Sequence, residues 1–327
     1  MNRRNFLGTL AARLSPGLLA PSLGAISLYP RAGARSYPPS GRSRGDRFVE
    51  RWSWAMGQPV HLQLFASSDD QGYAAAEEAL SALREVEQHL SRFIDASDLS
   101  ELNRRAGRNA TRVGPDLQTI LERSQEFERL THGAFNPAIE PLMRAWGFRG
   151  SRRTEPTGVE LSEAREAVHA ARILVDGNRV SLPVANTELD LGGIGVGYGL
   201  DQAVLRLQAL GIHSAFLNVS GDCFALGAPP GQEGWQVDIA SPHPGAGMVA
   251  STLLRDAALA TSANTRSVVR YGRAVRGHIM NPETGWPAEA LSQVSVMART
   301  GIEADALSTA MLVSGRPFGG VLRYYRV

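Results

Sequence analysis

The stretch Asp190-Leu-Gly-Gly-Ile-Gly-Val-Gly-Tyr-Gly-Leu-Asp201 places five glycines between a strand-like segment and an amphipathic segment. Hydrophobic residues recur at helical spacing after the glycines, at Leu200, Val204, Leu207 and Leu210. The pattern predicts a tight turn that opens a helix, where unpaired N–H groups and the positive end of the helix dipole suit a phosphate. The spacing matches neither the dinucleotide fingerprint nor a Walker loop. On this stretch alone, a tight turn without a ligand remains an equal alternative.

The segments before this turn predict one interrupted strand and two helices. Residues from Arg51 to Phe65 alternate as a strand that breaks at Met56-Gly57, and a hydrophobic stripe from Ala76 to Leu90 follows at helical spacing. A polar loop from Ser91 to Pro115 then leads into a second helix, which we expect to run from Pro115 to Gly133.

The segments after Glu160 are rich in short strands. Arg172–Val175 and Arg179–Leu182 flank Asp176-Gly177-Asn178, which is a hairpin signal. Further strands are predicted at Ala215–Val219, Trp235–Ala240, Met248–Leu254, Ser267–Tyr271 and Gln293–Ala298, and a last helix from Ile302 to Val313. Because helices and hairpins mix without strict β-α alternation, the predicted fold class is α+β, a layered fold of mixed helices and a largely antiparallel sheet.

The first 47 residues predict an export signal and a flexible linker. Arg3-Arg4 precede a moderately apolar run from Leu7 to Leu28, which is typical of a twin-arginine signal. Residues 30–47 are rich in Pro, Gly, Ser and Arg, so we expect the folded domain to span residues 48–327. Since the apolar run is interrupted and unsuited to spanning a bilayer, no stable membrane anchor is expected. The expected location is periplasmic or otherwise exported.

The charge of the chain argues against a nucleic-acid partner. Residues 1–45 contain seven arginines and no acidic residue, which leaves 27 arginines against 32 acidic residues, a formal charge of −5, for the remainder. All 34 basic residues are arginines, so mechanisms that depend on a lysine are excluded. The single cysteine, Cys223, excludes an intramolecular disulfide.

Two groups of residues suit phosphate and metal chemistry. Asp305 and Thr309 lie four residues apart on the last predicted helix, so both oxygens face one way and suit a hard cation such as Mg²⁺; a helix-capping aspartate is the alternative. His278 lies in a loop and suits a general base near neutral pH, with an ordinary surface histidine as the alternative. The signatures of serine hydrolases, thiol redox enzymes and zinc proteases are absent from the sequence.

Taken in order, several motifs resemble those of the FAD:protein FMN transferases, the ApbE family, whose fold is described as T-fold-like. The motifs are Met56-Gly57, Ser91-Arg-Phe through Leu102-Asn103, Gly133-Ala-Phe-Asn-Pro with Trp146-Gly-Phe148, Asp190-Leu-Gly-Gly, Asn218-Val-Ser-Gly-Asp222, His278-Ile-Met-Asn-Pro-Glu-Thr-Gly285 and Ala304-Asp-Ala-Leu-Ser-Thr309. The resemblance implies Mg²⁺-dependent cleavage of the FAD pyrophosphate, release of AMP, and transfer of FMN through a phosphoester to a threonine or serine of an acceptor protein.

The same resemblance implies roles for individual residues. Residues at FAD-contacting positions are Met56, Phe93, Ala134, Phe135, Asn136, Asp190 and Ile279. Asp305 and Thr309 match the metal ligands, and the Gly193 position would add a backbone carbonyl. His278 would be the base for the acceptor hydroxyl.

The chain also departs from the family pattern. Val196 stands where a phosphate-binding lysine is usual, Asn136 where an aspartate is usual, and Ala263 where a glycine commonly follows serine. Only an arginine could replace the lysine charge, with Arg266 or Arg276 as the candidates. These departures keep two alternatives open, a catalytically impaired FAD-binding relative and an FAD pyrophosphatase that releases AMP and FMN.

Overall fold

A computed structural model of the chain describes residues 46–150, 152, 154–243 and 245–327. The predicted export signal and most of the predicted linker therefore lie outside the described residues. The strands are β1 Arg47–Ala55, β2 Gln58–Ala66, β3 Thr111–Arg112, β4 Leu174–Asp176, β5 Arg179–Ser181, β6 Ser214–Val219, β7 Asp222–Leu226, β8 Trp235–Ala240, β9 Met248–Leu254, β10 Ala257–Ala263, β11 Val268–Tyr271, β12 Ala274–Gly277, β13 Gln293–Ala298 and β14 Arg323–Arg326. The helices are α1 Asp69–Leu90, α2 Asp98–Arg104, α3 Pro115–Leu130, α4 Glu140–Ala145, α5 Gly158–Ala170, α6 Gly195–Ala209 and α7 Gly301–Ser314.

A seven-stranded antiparallel sheet organises these elements, in the order β1-β2-β6-β7-β10-β13-β14. Its long hairpin, β1 with β2, turns at Met56 and Gly57, which both have positive φ (55° and 66°). Leu62 and Leu217 from neighbouring strands face one side of the sheet and pack on Leu83 of α1 and Leu207 of α6. The alternation of hydrophobic residues along these strands therefore buries one sheet face under helices.

Helix α7 is the central helix of the fold. Eleven of its fourteen residues are buried, because it packs on the sheet with one side and on the α3 region with the other. Leu307 and Met311 join the cluster that contains Leu117 and Ile120 of α3, whereas Ala304 joins the sheet-side cluster. Any side chain at the start of α7 is therefore placed inside the protein.

Two smaller layers complete the structure. The ribbon of β8 and β9 covers part of the sheet face opposite the helices, where Trp235 stacks on Phe216 with ring centroids 5.6 Å apart. Helices α4 and α5 enclose Trp146, whose indole N–H donates to the carbonyl oxygen of Gly285 at 2.7 Å. This bond fixes the loop that contains His278 against α4.

The predicted α+β fold class is confirmed, as are the break at Met56-Gly57 and the hairpin of β4 with β5. The segment from Ser91 to Pro115 was expected to be a loop, but it contains α2 and β3. Ser97 caps α2 by accepting a hydrogen bond from the Ser100 N–H at 3.0 Å. That helix is only seven residues long, so it has too few periodic positions to show in the sequence.

Two further expectations at helices are corrected. Helices α4 and α5 fall where no helix was predicted, although α5 begins with a complete capping box between Thr157 and Glu160. Leu210 was expected on the buried stripe of α6, but it lies just beyond the helix end and is 40% exposed.

Helices α6 and α7 cross with their backbones in direct contact. A Cβ at Gly197 would lie 2.1 Å from the Gly301 carbonyl oxygen, and one at Gly301 would lie 2.3 Å from the Gly197 carbonyl oxygen. Neither position tolerates a methyl group without separating the helices.

We expect Gly197→Ala to lower the free energy of unfolding by about 1–3 kcal/mol or more, because the new methyl group overlaps the α7 backbone. The matched control is Gly195→Ala on the same helix, where an added Cβ has no neighbour within 4 Å. That control should be neutral or stabilising by up to about 1 kcal/mol. Urea denaturation of the three proteins measures the difference, and equal stability of the two variants would contradict the close crossing.

Candidate active site

The glycine-rich turn is held in place by Asp190. The Asp190 N–H donates to the Pro137 carbonyl oxygen at 2.8 Å, and the Asp190 Oδ1 accepts from the Gly192 N–H at 2.8 Å. Helix α6 then begins without a side-chain cap at Ile194. The prediction that this stretch is a turn opening a helix is confirmed.

The structure brings the three predicted metal residues together. The Asp305 Oδ2 accepts from the Gly197 N–H at 3.0 Å, so the carboxylate of α7 lies at the first turn of α6. A Cβ at Gly193 would lie 3.0 Å from the Thr309 Oγ1, so only a glycine lets the turn come this close to the hydroxyl. The Thr309 Oγ1 also lies 3.2 Å from the Ser262 Oγ on β10.

Asp222 adds a second buried carboxylate that sequence reasoning did not assign to the site. Its Oδ1 accepts from the Thr261 N–H at 2.8 Å. Burial raises the pKa of Asp305 well above its ordinary range, and the neighbouring charge of Asp222 raises it further. Burial likewise raises the pKa of Asp222. The only sequence signal was its place at the end of the motif from Asn218 to Asp222.

This pair fits a divalent cation by its chemistry. Within the described residues, neither Asp222 nor Asp305 forms a salt bridge, and an uncompensated buried carboxylate is costly. Cation binding would offset that cost, and the Thr309 hydroxyl and a turn carbonyl are the oxygen donors that Mg²⁺ prefers. No set of three or more His, Cys, Asp or Glu side chains in the described part of the chain is arranged as a metal centre, so any such site depends on hydroxyl and carbonyl oxygens.

A cavity of about 460 Å³ opens beside the turn. Met56, Phe93 and Asp190, three of the predicted FAD contacts, line it together with Val196. The Met56 N–H donates to the Glu87 Oε2 at 2.7 Å, which holds the β1–β2 turn at the cavity edge. Phe93 is 78% exposed and offers an aromatic face to a planar ring. The size and mixed lining suit a nucleotide-sized ligand.

Arginines next to this cavity were missed by the sequence reasoning. The Arg149 guanidinium donates to the Asp190 Oδ2 at 2.5 Å and to the Glu140 Oε1 at 3.0 Å, and Arg92 donates to the same Glu140 oxygen at 2.7 Å. Both guanidinium groups lie over the Phe93 ring, at 5.2 Å for Arg92 and 5.6 Å for Arg149. Both guanidinium groups are ion-paired, Arg92 with Glu140 and Glu188 and Arg149 with Glu140 and Asp190. The Phe93 end of the cavity therefore offers guanidinium donors in a chain without lysine.

Arg266 and Arg276, the candidates to replace the charge of the missing lysine, have different partners in the structure. Arg276 is ion-paired with Glu155 at 2.9 Å and with Glu289 at 3.3 Å. Arg266 donates to the Ser220 carbonyl oxygen at 3.0 Å, and its charge lowers the raised pKa of the buried Asp222. Of the two, Arg266 is the one whose charge acts on the carboxylate pair.

The three adjacent predicted contacts, Ala134, Phe135 and Asn136, do not line this cavity. Ala134 and Asn136 line a second cavity of about 340 Å³, and the Asn136 Nδ2 lies 3.3 Å from the Glu128 Oε1. Phe135 is buried in the core. The hydrogen bond from the Asp190 N–H to the Pro137 carbonyl oxygen nevertheless places this segment directly beside the glycine turn.

His278 and Ile279 lie in a loop held by Asn264. The Asn264 Oδ1 accepts from the Ile279 N–H at 2.8 Å, and its Nδ2 donates to the Ala288 carbonyl oxygen at 2.6 Å. The His278 Nδ1 is buried and has no hydrogen-bond partner in the described structure. Burial lowers the pKa of His278 below its ordinary value of 6.5, and this effect exceeds the opposing hydrogen bond with the Ser267 backbone and the charge of Asp190. The imidazole is therefore mostly neutral at pH 7.

Comparison with known proteins identifies the family. The profile of the ApbE family matches residues 56–321, and the chain belongs to this family. A protein of Treponema pallidum named FAD:protein FMN transferase is 34% identical over 266 residues, which cover 74% of this chain and 72% of that protein. A protein of the same name from Haemophilus influenzae is 27% identical over 275 residues, which cover 80% and 79%.

Solved structures agree with the fold. The ApbE protein of Thermotoga maritima superposes with a TM-score of 0.75 at 26% identity, over 82% of this chain and 87% of that chain. The flavin transferase ApbE of Vibrio cholerae superposes with a TM-score of 0.74 at 23% identity, over 86% and 97%. The family predicted from the motifs, and with it the enzyme class, is confirmed.

The buried Glu140 makes the stability of the folded protein depend on pH. Burial raises its pKa from 4.5 to about 7, although Arg149 opposes the shift. Between these two values the folded protein holds a proton that the unfolded chain releases, so this group makes stability fall as pH rises.

We therefore expect the stability difference between Glu140→Gln and the parent to shift by about 1–3 kcal/mol in favour of the variant from pH 5 to pH 8, because the glutamine does not ionise. Urea denaturation across this pH range measures the difference. The control is Glu160→Gln, since Glu160 has a pKa of about 2 and stays ionised throughout. A pH-independent difference for Glu140→Gln would show that Glu140 does not titrate in this range.

Proposed function

We propose that the chain transfers FMN from FAD to a threonine or serine hydroxyl of an acceptor protein, with Mg²⁺ as cofactor and AMP as the second product. The observation that carries the proposal is the meeting of Asp305, Thr309 and Gly193 beside a nucleotide-sized cavity. Membership of a family whose members are named FAD:protein FMN transferases supports it.

Asp305, Thr309 and the backbone at Gly193 would hold the Mg²⁺, with Asp222 close by. When bound, the ion neutralises charge on the pyrophosphate. The other contributions to the site come from residues of the protein. Arg92 and Arg149 place guanidinium groups at the Phe93 end of the cavity for an anionic ligand. The glycine turn brings the backbone close to the cavity, but the N–H groups of Gly192, Gly195 and Gly197 are already bonded to Asp190, Leu191 and Asp305.

His278 would accept the proton of the acceptor hydroxyl. Its neutral state at pH 7 leaves a ring nitrogen free to do so. The hydroxyl oxygen then forms a bond to the phosphorus on the FMN side, the P–O bond to the AMP phosphate breaks, and AMP leaves with the bridging oxygen. The product is FMN joined to the protein through a phosphoester.

We also propose that the chain is exported by the twin-arginine route, which is supported by Arg3-Arg4 and the apolar run after them. The helices of the described residues are all too short or too polar to cross a membrane. Folded export would suit an enzyme whose acceptor proteins lie outside the cytoplasm.

The decisive experiment is incubation of the chain with FAD, Mg²⁺ and a threonine-bearing flavinylation-site protein. AMP release together with in-gel flavin fluorescence of the acceptor would establish the transferase. AMP and free FMN without a labelled acceptor would select the pyrophosphatase, and tight FAD binding without either product would select a catalytically silent relative. The silent relative is motivated by Val196 and Asn136. One lost charge-assisted contact costs about 1.5–3 kcal/mol, which weakens binding or slows turnover without necessarily abolishing it.

In this assay we expect Asp305→Asn and His278→Ala each to lower the transfer rate at least about 100-fold. The reasons differ, since the first removes a buried metal ligand and the second removes the base. Only Asp305→Asn should raise the Mg²⁺ concentration needed for half-maximal rate. Asp176→Asn and His243→Ala, on exposed positions of other elements, serve as controls. Parent rates in both site variants would show that these roles are wrong.

A further inference from the structure

The hairpin of β11 and β12 carries an interaction surface that the transfer chemistry does not use. It connects Asn264 to His278 and forms a two-stranded sheet of its own, apart from the seven-stranded sheet. Its turn lies at Gly272, with φ of 61°. Because the second strand ends at Gly277, the hairpin leads directly into the predicted base.

This hairpin has an unusual charge for a short segment. Between Asn264 and Asn281 the sequence contains four arginines and no acidic residue. Arg276 is neutralised by Glu155 and Glu289, and Arg266 donates to a backbone carbonyl. Arg270 and Arg273 are exposed, and the described residues offer neither of them an ion pair or a hydrogen bond.

The hairpin is attached rigidly to the catalytic loop. The Tyr271 hydroxyl donates to the Trp146 carbonyl oxygen, and a Cβ at Gly147 would lie 3.1 Å from that hydroxyl. At the other end, Asn264 holds both Ile279 and Ala288. The two free guanidinium groups are therefore presented from a fixed support rather than from a loose loop.

An exposed aromatic residue lies on the same loop. Trp286 is 43% exposed, packs edge-on against Trp146 with ring centroids 4.9 Å apart, and receives the Arg276 guanidinium at 5.6 Å. Its carbonyl oxygen accepts from the Asn281 N–H at 2.8 Å, which closes the loop that follows His278. Tyr271 and Arg276 therefore face Trp146 and Trp286, and by strand alternation Arg270 lies on the opposite face of the hairpin.

We propose that Arg270 and Arg273 form the docking surface for the acceptor protein, and that this surface recognises acidic residues flanking the acceptor hydroxyl. The proposal rests on the proposed transfer reaction, because only a protein substrate must be aligned beside His278. Unpaired arginines steer an acidic partner and fix its orientation. The positive formal charge of the hairpin and its position next to His278, the predicted general base, together favour an acidic protein over a neutral one.

Binding of two fluorescent peptides to the full chain tests this proposal without requiring catalysis. Both peptides carry one threonine; one has four Asp or Glu residues around it, and the other has Asn or Gln at those positions. We expect the acidic peptide to bind at least about 10-fold more tightly at low salt, with the preference decreasing as salt screens the charges. Fluorescence anisotropy measures both dissociation constants.

The variant Arg270→Glu with Arg273→Glu should abolish the preference for the acidic peptide. The matched control is Arg112→Glu with Arg179→Glu, which makes the same change of charge on the separate small sheet and should keep the preference. FAD affinity, measured by flavin fluorescence, should be the same in the hairpin variant as in the parent. Unchanged affinity would show that the variant is folded.

Equal binding of the two peptides by the parent, or a preference that survives in the hairpin variant, would overturn the docking surface. A different outcome would refute the proposed transfer reaction. If the acidic peptide binds through the hairpin but no flavin is transferred to any acceptor, the docking surface stands and the proposed reaction is wrong.

Discussion

Reciprocal capping between helices α6 and α7 is the interaction on which the rest of the structure depends. Asp201 of α6 accepts from the Gly301 N–H at 2.6 Å at the start of α7, and Asp305 of α7 accepts from the Gly197 N–H at 3.0 Å at the start of α6. Asp305 thus supplies the side-chain cap that α6 lacks, and Asp201 adds to the cap that Thr300 already gives α7. Because the backbones of α6 and α7 are in contact, these hydrogen bonds also fix Asp305, the candidate metal ligand, against the glycine turn.

This arrangement places negative charge where the protein has little to neutralise it. Burial raises the pKa of Asp201 to about 6, and burial also raises the pKa values of Asp222 and Asp305. A bound cation would compensate for the charges of Asp222 and Asp305, which form no salt bridge within the described residues. The cost of burying the acids is therefore linked to the proposed chemistry, as expected where a site is prepared for a charged ligand.

The positive charges are distributed around this centre rather than inside it. Arg92 and Arg149 stand at the Phe93 end of the cavity, where Glu140 holds both guanidinium groups. Arg270 and Arg273 lie on the separate hairpin beside His278. In the proposed reaction, the first pair would face the nucleotide and the second the acceptor protein. Since every basic residue is an arginine, all of these contacts use planar guanidinium groups rather than a flexible ammonium.

The sequence by itself determined the fold class, the main helices and strands, and the family, because hydrophobic periodicity, glycine placement and ordered motifs are local properties. It also indicated Asp305 and Thr309, whose four-residue spacing places both on one helix face. Only the tertiary structure brought in Asp222 and Arg149, which reach the site from β7 and from the segment after α4. Their roles depend on burial and on partners distant in the chain, and no local pattern encodes those distances.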